Sequence, residues 1–306
     1  MDYDSLIDEP TWAFIRATQA AYPADTATMT IAEQRRIYDK MCRVFHCGYP
    51  PGITARDQAI AGVACRIYPG AGPTVLYLHG GGFVVGGLDS HDDVCAEIRQ
   101  RTGLTVVAAD YRLAPEHPHP AAFDDTCAVT RALAAEGPLV LAGDSAGGNL
   151  AAAAAHALRR ENLPILGQVL IYPGLGGDVN RGSYLAHARA PMLTRDDVLF
   201  YADIRHGGPA PADDPTVTPL RDTDFTRLPP TVVISAQCDP LADDGPAYAA
   251  RIRAAGGRAR ATVEPGLVHG FLRARASVPR AATSFTRIVT AIAALAAGDW
   301  PHEVPS

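Results

Sequence analysis

The sequence predicts an α/β protein in which a mostly parallel central sheet is covered by helices on both faces. Short apolar runs alternate with helical segments along most of the 306 residues, and this alternation is typical of parallel strands joined by helical crossovers. The segment Gly143-Asp144-Ser145-Ala146-Gly147 lies between one such run and an alanine-rich helix. We predict strands at 60–68, 74–78, 104–109, 139–141, 169–172, 231–236 and 259–263.

The N-terminal arm, residues 1–45, is predicted to be helical. Trp12 and Ile15 are separated by helical spacing, and Thr30-Ile31-Ala32-Glu33 is similar to a capping box at the start of a second helix. The prolines and glycines at 48–52 predict a break between this arm and the sheet.

The strands differ in their expected burial. Residues 60–68 alternate in part between apolar and polar side chains, which predicts an outer strand. Residues 74–78 form a short apolar run, as expected of a central strand covered on both faces. Helices are predicted at 90–101, 121–136, 151–160, 246–255 and 281–297.

The insertion, residues 174–225, interrupts the alternation of strands and helices. It is rich in Gly, Pro, Asp and Arg, and its one helical candidate runs from Thr194 to Ile204. A segment between two parallel strands would lie above their carboxyl ends, where ligands bind in open α/β sheets. We therefore predict a mainly helical cap made of residues 1–50 and 174–225, and a catalytic domain made of residues 51–173 and 226–306.

Ser145 is the candidate nucleophile. A sharp turn between a strand and a helix would hold the serine in a strained conformation, and the flanking glycines would let other backbone approach closely. Its Oγ would then be exposed above the strand ends, with the helix N-terminus behind it to favour a developing negative charge. The alternative is a plain glycine–serine turn.

A serine hydroxyl needs a base and a group that orients the base. Asp239 follows the strand at 231–236, and His269 follows the next strand, so both are expected at the same edge of the sheet as Ser145. Asp243 and Asp244 compete for the role of the acid, but they fit the first turn of the next helix better. Alternatively, Asp239-Pro240 is a common turn and His269 an ordinary loop histidine.

The glycine loop, His79-Gly80-Gly81-Gly82-Phe83, directly follows a predicted strand. Three glycines let the main chain turn its N–H groups towards a ligand, and such donors stabilise the negative charge that builds up during acyl transfer. The alternative is a flexible turn. A P-loop is excluded because Gly148 is followed by Asn149-Leu150 and not by Lys and Ser or Thr. A dinucleotide-binding fingerprint is excluded because Gly82 is followed by Phe83 and two valines, without the third glycine that it requires.

Composition excludes several classes of function. The net charge is −6 and the pI is about 5.9, so there is no overall basic surface for nucleic acid. Lys40 is the only lysine. No apolar run is long enough to span a membrane, and the acidic start at 1–4 does not resemble a signal peptide, so we expect a cytoplasmic protein without stable membrane association.

Cysteine and histidine positions do not predict a metal site. The six cysteines are widely spaced, which favours buried, reduced thiols over disulfides or zinc ligands. His117-Pro118-His119 has no nearby carboxylate pair beyond Glu116, which favours solvated loop histidines. We expect neither a metal nor an organic cofactor.

Five segments together make the chain resemble the hormone-sensitive-lipase-like esterases, the bacterial family IV lipolytic enzymes of the α/β-hydrolase fold. His119 departs from that family, which usually has an aromatic residue such as Phe there. The matching segments are His79-Gly80-Gly81-Gly82-Phe83, Asp110-Tyr111-Arg112-Leu113-Ala114-Pro115-Glu116, Gly143-Asp144-Ser145-Ala146-Gly147-Gly148, Asp239-Pro240-Leu241 and His269-Gly270-Phe271.

The resemblance implies a role for each matching residue. It implies a catalytic triad of Ser145, Asp239 and His269. It also implies an oxyanion hole, in which the backbone N–H groups of Gly81, Gly82 and Ala146 bind the substrate oxygen. The substrate-pocket candidates are Phe83, Asp144, Leu241 and Phe271, and the residues that support the motif match are His79, Gly80, Tyr111, Arg112 and Glu116.

The resemblance further implies a serine carboxylesterase that hydrolyses short-to-medium-chain acyl esters through an acyl-enzyme, with a small-molecule ester as its partner. One alternative is an amide-cleaving hydrolase such as an arylformamidase, because the same triad serves both reactions. Another is a non-catalytic small-molecule-binding protein, as in the plant gibberellin receptors, although these lack the catalytic histidine that is present here as His269. A homodimer is left open.

Overall fold

The protein is built on one eight-stranded sheet. The structure, a computed structural model, describes residues 1–23, 25–208, 211 and 213–300. The strand order is β1-β2-β4-β3-β5-β6-β7-β8. The strands are β1 Arg56–Ile60, β2 Val63–Tyr68, β3 Thr74–Leu78, β4 Thr105–Ala109, β5 Leu139–Asp144, β6 Ile165–Ile171, β7 Thr231–Cys238 and β8 Ala259–Val268.

The pairing confirms a mostly parallel sheet. β4, β3, β5, β6, β7 and β8 pair in parallel, whereas β1 pairs antiparallel with β2 and β2 pairs antiparallel with β4. Because parallel strands all end at one edge, the loops after β3, β5, β7 and β8 meet there. β6 begins earlier and β8 ends later than predicted.

The prediction of a single strand at 60–68 is wrong. β1 and β2 form an antiparallel hairpin that turns at Ala61 and Gly62, where φ is 50° and 83°. Two residues with positive φ match the strand twist in a two-residue hairpin. Alanine rarely adopts positive φ, so the sequence pattern did not indicate a turn there.

The described residues form nine α-helices. These are α1 Glu9–Ala21, α2 Ile31–Val44, α3 Asp92–Thr102, α4 Ala121–Glu136, α5 Ala146–Leu158, α6 Ser183–Ala186, α7 Arg195–His206, α8 Asp244–Ala254 and α9 Pro279–Ala296. The capping box that opens α2 is confirmed, since the side chains of Thr30 and Glu33 each accept a hydrogen bond from the other residue's backbone N–H. Lys40 of α2 is exposed.

The helix after the serine begins earlier than predicted. We expected residues 151–160, but α5 starts at Ala146, directly after Ser145. Gly147 and Gly148 have low helix propensity and therefore hid this first turn. A Cβ added at Gly147 would lie 1.9 Å from the carbonyl oxygen of Leu78, so only glycine lets α5 approach β3 this closely.

Both faces of the sheet are buried under helices, which explains the continuous apolar runs. Along β3, Val75 and Tyr77 lie in the cluster formed with α3 and α9, and Leu76 and Leu78 lie in the cluster formed with α4, α5 and α8. All four side chains are fully buried. Alternate residues of one strand therefore serve two separate cores.

The N-terminal arm and the insertion meet over the glycine loop. A third apolar cluster joins Tyr38 and Met41 of α2 to Val84 and Val85, which directly follow that loop, and Tyr201 of α7 packs against the cluster. The predicted cap and catalytic domain also include residues 24, 209, 210, 212 and 301–306, which lie outside the described residues. None of the helices in the described ranges is long and apolar enough to cross a membrane.

Candidate active site

Ser145 lies in a strained turn between β5 and α5. Its φ of 53° and ψ of −117° put a non-glycine residue in a rarely occupied backbone region. The Ser145 N–H donates to the carbonyl oxygen of Ile171 at 2.8 Å, and the Ser145 carbonyl accepts from the N–H of Asn149 at 3.0 Å. The strained turn that the motif predicts is present, and backbone hydrogen bonds hold it on both sides.

The structure brings Ser145, His269 and Asp239 into one hydrogen-bonded relay. His269 Nε2 lies 2.9 Å from Ser145 Oγ, and His269 Nδ1 lies 2.7 Å from Asp239 Oδ2. Because Nδ1 faces a carboxylate, it carries the hydrogen, which leaves Nε2 free to accept the serine proton. Asp239 is fully buried, and its Oδ1 accepts from the N–H of Leu241 at 2.9 Å.

The two aspartates that compete with Asp239 for the role of the acid, Asp243 and Asp244, bind backbone N–H groups of the insertion. Asp243 accepts from the N–H of Ser183 at 2.8 Å, and Asp244 accepts from the N–H of Leu175 at 2.6 Å. Burial raises the pKa of Asp244 to about 6. Asp243 directly precedes α8 and Asp244 is its first residue, so both lie at the start of this helix as predicted, while their carboxylates bind backbone N–H groups of the insertion.

The backbone conformation of the glycine loop requires glycine at two positions. Gly81 and Gly82 have φ of 136° and 59°, in the region that favours glycine. A Cβ at Gly81 would lie 2.0 Å from the carbonyl oxygen of Val85. Among the described residues, no acceptor pairs with the N–H groups of Gly81, Gly82 or Ala146. These are the three donors that the family resemblance implies for an oxyanion hole.

Asp144 lies beneath the glycine loop, and its predicted place in the substrate pocket is wrong. It is 2% exposed, and its carboxylate accepts from Tyr77 Oη at 2.9 Å and from the N–H of Gly80 at 3.0 Å. Burial alone would raise the pKa of Asp144, but His91 and Arg273 hold it well below its usual range. A buried carboxylate therefore fixes the first glycine of the loop.

His79 supports the loop from the other side. Its Nδ1 donates to the Gly80 carbonyl at 2.9 Å, and its ring stacks on Tyr111 with ring centres 4.3 Å apart. Tyr111 Oη in turn donates to the His79 carbonyl at 2.6 Å. Burial lowers the pKa of His79 to about 4, so its imidazole is neutral near pH 7.

The other pocket candidates differ in position. Phe271 is fully buried in the core, 5.0 Å from the Tyr172 ring, which corrects its assignment to the pocket. Leu241 is buried close to Gly174, where the insertion starts. Phe83, which has a φ of 67°, directly follows the glycines, and its ring is partly exposed.

The charged residues of the 110–116 segment are structural. Arg112 forms a salt bridge with Asp125 of α4 at 2.7 Å. Glu116 pairs with Arg35 of α2 at 2.6 Å, and Arg35 Nε also donates to the carbonyl of Val84 at 2.8 Å. These contacts connect the N-terminal arm to the loops around Ser145.

His119, the position that departs from the family pattern, contacts the insertion. Its Nε2 lies 3.0 Å from Thr216 Oγ1 and 3.7 Å from Asp214 Oδ2. Within the part of the chain that the structure describes, no group of three or more His, Cys, Asp or Glu side chains is arranged to hold a metal ion.

Two residues of α7 were not predicted to belong to the site. Tyr201 covers Gly82, and Arg205 lies over the Phe83 ring. Their spacing of one helical turn indicates a common face of α7, but the sequence contains no sign that this face meets the glycine loop.

Comparison with known proteins agrees with the geometry. A family described as having the alpha/beta hydrolase fold matches residues 75–273, more than half of the chain. The carboxylesterase NlhH of Mycobacterium tuberculosis is 38% identical over 232 residues, which cover 72% of this chain and 73% of NlhH. The ethyl acetate hydrolase of Pseudomonas putida is 35% identical, with the same coverage.

Solved structures extend the similarity to nearly the whole chain. The crystal structure of an esterase from the bacterial hormone-sensitive lipase family matches with a TM-score of 0.85 and 29% identity. The match covers 94% of this chain and 98% of that esterase. The resemblance that the five motif segments carry is thereby confirmed.

Proposed function

The chain belongs to the alpha/beta hydrolase fold family, and on this premise we propose that Ser145, His269 and Asp239 are the catalytic residues of its ester hydrolysis. The observation that carries the proposal is the relay of 2.9 Å and 2.7 Å bonds from Ser145 through His269 to Asp239. Relatives named as carboxylesterases and ester hydrolases support an ester substrate.

Each residue has a chemical role in the proposed reaction. His269 accepts the Ser145 proton as Oγ attacks the ester carbonyl, and Asp239 stabilises the resulting imidazolium. The N–H groups of Gly81, Gly82 and Ala146 bind the oxygen that becomes negative. His269 then returns the proton to the departing alcohol, and a water molecule that it activates releases the acid from the acyl-enzyme.

The two alternative functions are less well supported. The named relatives are ester hydrolases, which favours an ester over an amide substrate. A non-catalytic binding role leaves the hydrogen-bonded nucleophile and base unexplained, since His269 is present and bonded to Ser145.

We further propose that the substrates are dissolved esters with acyl chains of about two to eight carbons. Residues 1–50 and 174–225 would form a cap over a catalytic domain of residues 51–173 and 226–306. The packing of Tyr38 and Tyr201 around the residues after the glycine loop supports this division. A closed cap limits the depth of the pocket and leaves no open surface for a lipid phase.

An ester series tests the proposed substrate range. We expect kcat/KM for p-nitrophenyl esters to be highest at about two to eight acyl carbons and to fall steeply beyond, because the cap bounds the pocket. The rate should follow dissolved substrate with no increase when an emulsion forms. A maximum at C12 or longer would contradict the closed cap, and no ester hydrolysis would contradict the proposed function itself.

The cytoplasm is the proposed compartment. All six cysteines are free and five of them are buried, which suits a reducing environment. A homodimer is compatible with the proposed reaction, and the oligomeric state can be measured by light scattering.

A further inference from the structure

Helix α7 of the insertion lies directly against the glycine loop. A Cβ added at Gly82 would lie 2.6 Å from Cγ of Tyr201, so the tyrosine occupies the space that a side chain at this position would fill. One turn further along α7, the guanidinium carbon of Arg205 lies 3.7 Å from the centre of the Phe83 ring. Two consecutive residues of the loop are therefore covered by one face of α7.

Arg205 is a buried cation with neutral partners. Its side chain donates to Asn149 Oδ1 at 3.3 Å and to the carbonyls of Val217 and Thr216 at 3.4 Å and 3.5 Å. Arg205 is 5% exposed, and no carboxylate among the described residues lies within salt-bridge distance of it.

This arrangement is costly for a residue that only fills space. Burying a cation with no carboxylate in contact is unfavourable, and an apolar side chain of similar volume is often at least as stable. Burial accordingly lowers the pKa of Arg205, and the charge of Asp214, beyond salt-bridge distance, offsets this only in part. The places of its contact residues indicate why a charged, planar guanidinium is kept at this buried position.

Two of its contacts, the Phe83 ring and Asn149 Oδ1, belong to the two elements that carry the proposed oxyanion donors, while Thr216 and Val217 belong to the insertion. Phe83 directly follows Gly81 and Gly82 in the glycine loop. Asn149 lies in the first turns of α5, which begins at Ala146, and its backbone N–H is bonded to the carbonyl of Ser145 at 3.0 Å. Arg205 is thus in contact with both elements at once.

We propose that Arg205 is a positioning residue for the oxyanion hole, which fixes the glycine loop relative to the start of α5. The proposal deepens the proposed function and rests on it. The insertion is then part of the catalytic machinery in addition to covering the site. Displacement of the loop misaligns N–H donors whose effect depends on their distance from the developing charge.

The test compares Arg205→Met with a matched control, Arg195→Met. Arg195 is the first residue of α7, and its guanidinium binds the Val179 carbonyl and Asn180 within the insertion. The reaction is p-nitrophenyl acetate hydrolysis. We expect Arg205→Met to lower kcat about 10- to 100-fold, by partial loss of oxyanion donors, with KM within about threefold. Arg195→Met should leave both constants within about twofold.

Two further measurements separate positioning from general support. A trifluoromethyl ketone forms an oxyanion on the serine, and its affinity should fall with kcat/KM in Arg205→Met, whereas affinity for the product acid should change little. Arg205→Lys should recover part of kcat, because it keeps the charge but not the planar stacking on Phe83.

A second variant keeps the proposal testable if Arg205→Met fails to fold. Phe83→Leu removes the stacking surface from the other side, and it should give the same selective loss of kcat. An unchanged kcat in folded Arg205→Met, or a loss confined to KM, would overturn the proposal. If wild-type turnover depends on Ser145 while Arg205→Met is fully active, only the role of Arg205 is refuted; if the wild type hydrolyses no ester, the proposed function fails.

Discussion

The protein contains two aspartate–histidine pairs with the same hydrogen-bond length and different surroundings. His269 Nδ1 lies 2.7 Å from Asp239, and His156 Nδ1 lies 2.7 Å from Asp222. The first pair lies at the carboxyl edge of the sheet, and its Nε2 faces Ser145 at 2.9 Å. The second is enclosed by the rings of Phe225 and Tyr248, and its Nε2 has no partner among the described residues.

The difference shows that an aspartate–histidine pair is not by itself catalytic machinery. An aspartate orients an imidazole in both places, but only one of the two imidazoles faces a serine hydroxyl. His156 is 1% exposed, whereas the side chain of His269 is 13% exposed, so a substrate can approach only the first pair. The third partner and access to it distinguish the active pair from the structural pair.

Removing the third partner gives the largest expected effect. Ser145→Ala leaves Nε2 of His269 without the hydroxyl, as Nε2 of His156 already is. We expect kcat to fall by at least about three orders of magnitude, because no other nucleophile is in place, while the melting temperature stays close to that of the wild type. A variant that retains a tenth of wild-type turnover would show that Ser145 is not the nucleophile.

Replacing the aspartate of each pair by asparagine separates the catalytic pair from the structural one. Asp239→Asn should lower kcat by up to about four orders of magnitude, because an amide favours the wrong histidine tautomer. Asp222→Asn should change kcat less than about twofold but lower the free energy of unfolding by about 1–3 kcal/mol, since its carboxylate bonds both His156 and Arg159. Urea unfolding and ester kinetics on both variants check this.

Asp243→Asn is the control for the choice of acid. Its carboxylate binds the N–H of Ser183 and does not contact His269. We expect it to retain most of the activity, and a loss as severe as that of Asp239→Asn would mean that the acid is wrongly assigned.

The last prediction concerns the pH dependence of stability. Burial lowers the pKa of His156 from 6.5 to about 4. Between these values the unfolded chain binds a proton that the folded protein does not, so stability falls as the pH drops through this window. His156→Gln removes the titration and should flatten the decline by at most about 1.4 kcal/mol per pH unit.

Parallel thermal melts of wild type and His156→Gln between pH 4 and pH 8 measure this difference. His79, whose pKa is also lowered, titrates in both proteins and cancels in the comparison. If the melting temperatures of wild type and His156→Gln fell in parallel with pH between about 6.5 and 4, His156 would not be held neutral by burial.

Most of the fold could be predicted because its elements follow from local pattern. α4 runs from Ala121 to Glu136 as expected, and β3 and β4 agree to within one residue. The errors lie where tertiary contacts override propensity. Position 147 is glycine within a helix because any side chain there would collide with β3, and Ala61 turns with positive φ because the hairpin requires it.

The candidate site likewise contains residues that could be predicted from local pattern and residues that only the tertiary contacts reveal. Ser145, Asp239 and His269 could be placed together because each follows a parallel strand, and such strands end at one edge of the sheet. The pocket candidates Asp144 and Phe271 adjoin Ser145 and His269 in sequence, but neighbours in a chain can point to opposite sides of a turn, and both side chains are buried. Arg205 could not be found, because its contact with Phe83 joins distant parts of the chain.

The single lysine of the chain has a practical consequence for handling the protein. Lys40 is exposed on α2, the helix whose Arg35 and Tyr38 contact the loops under the site. Amine-directed chemistry therefore finds one side-chain target, on the N-terminal arm. A fluorophore on the Lys40 side chain would report movements of this arm from a defined position.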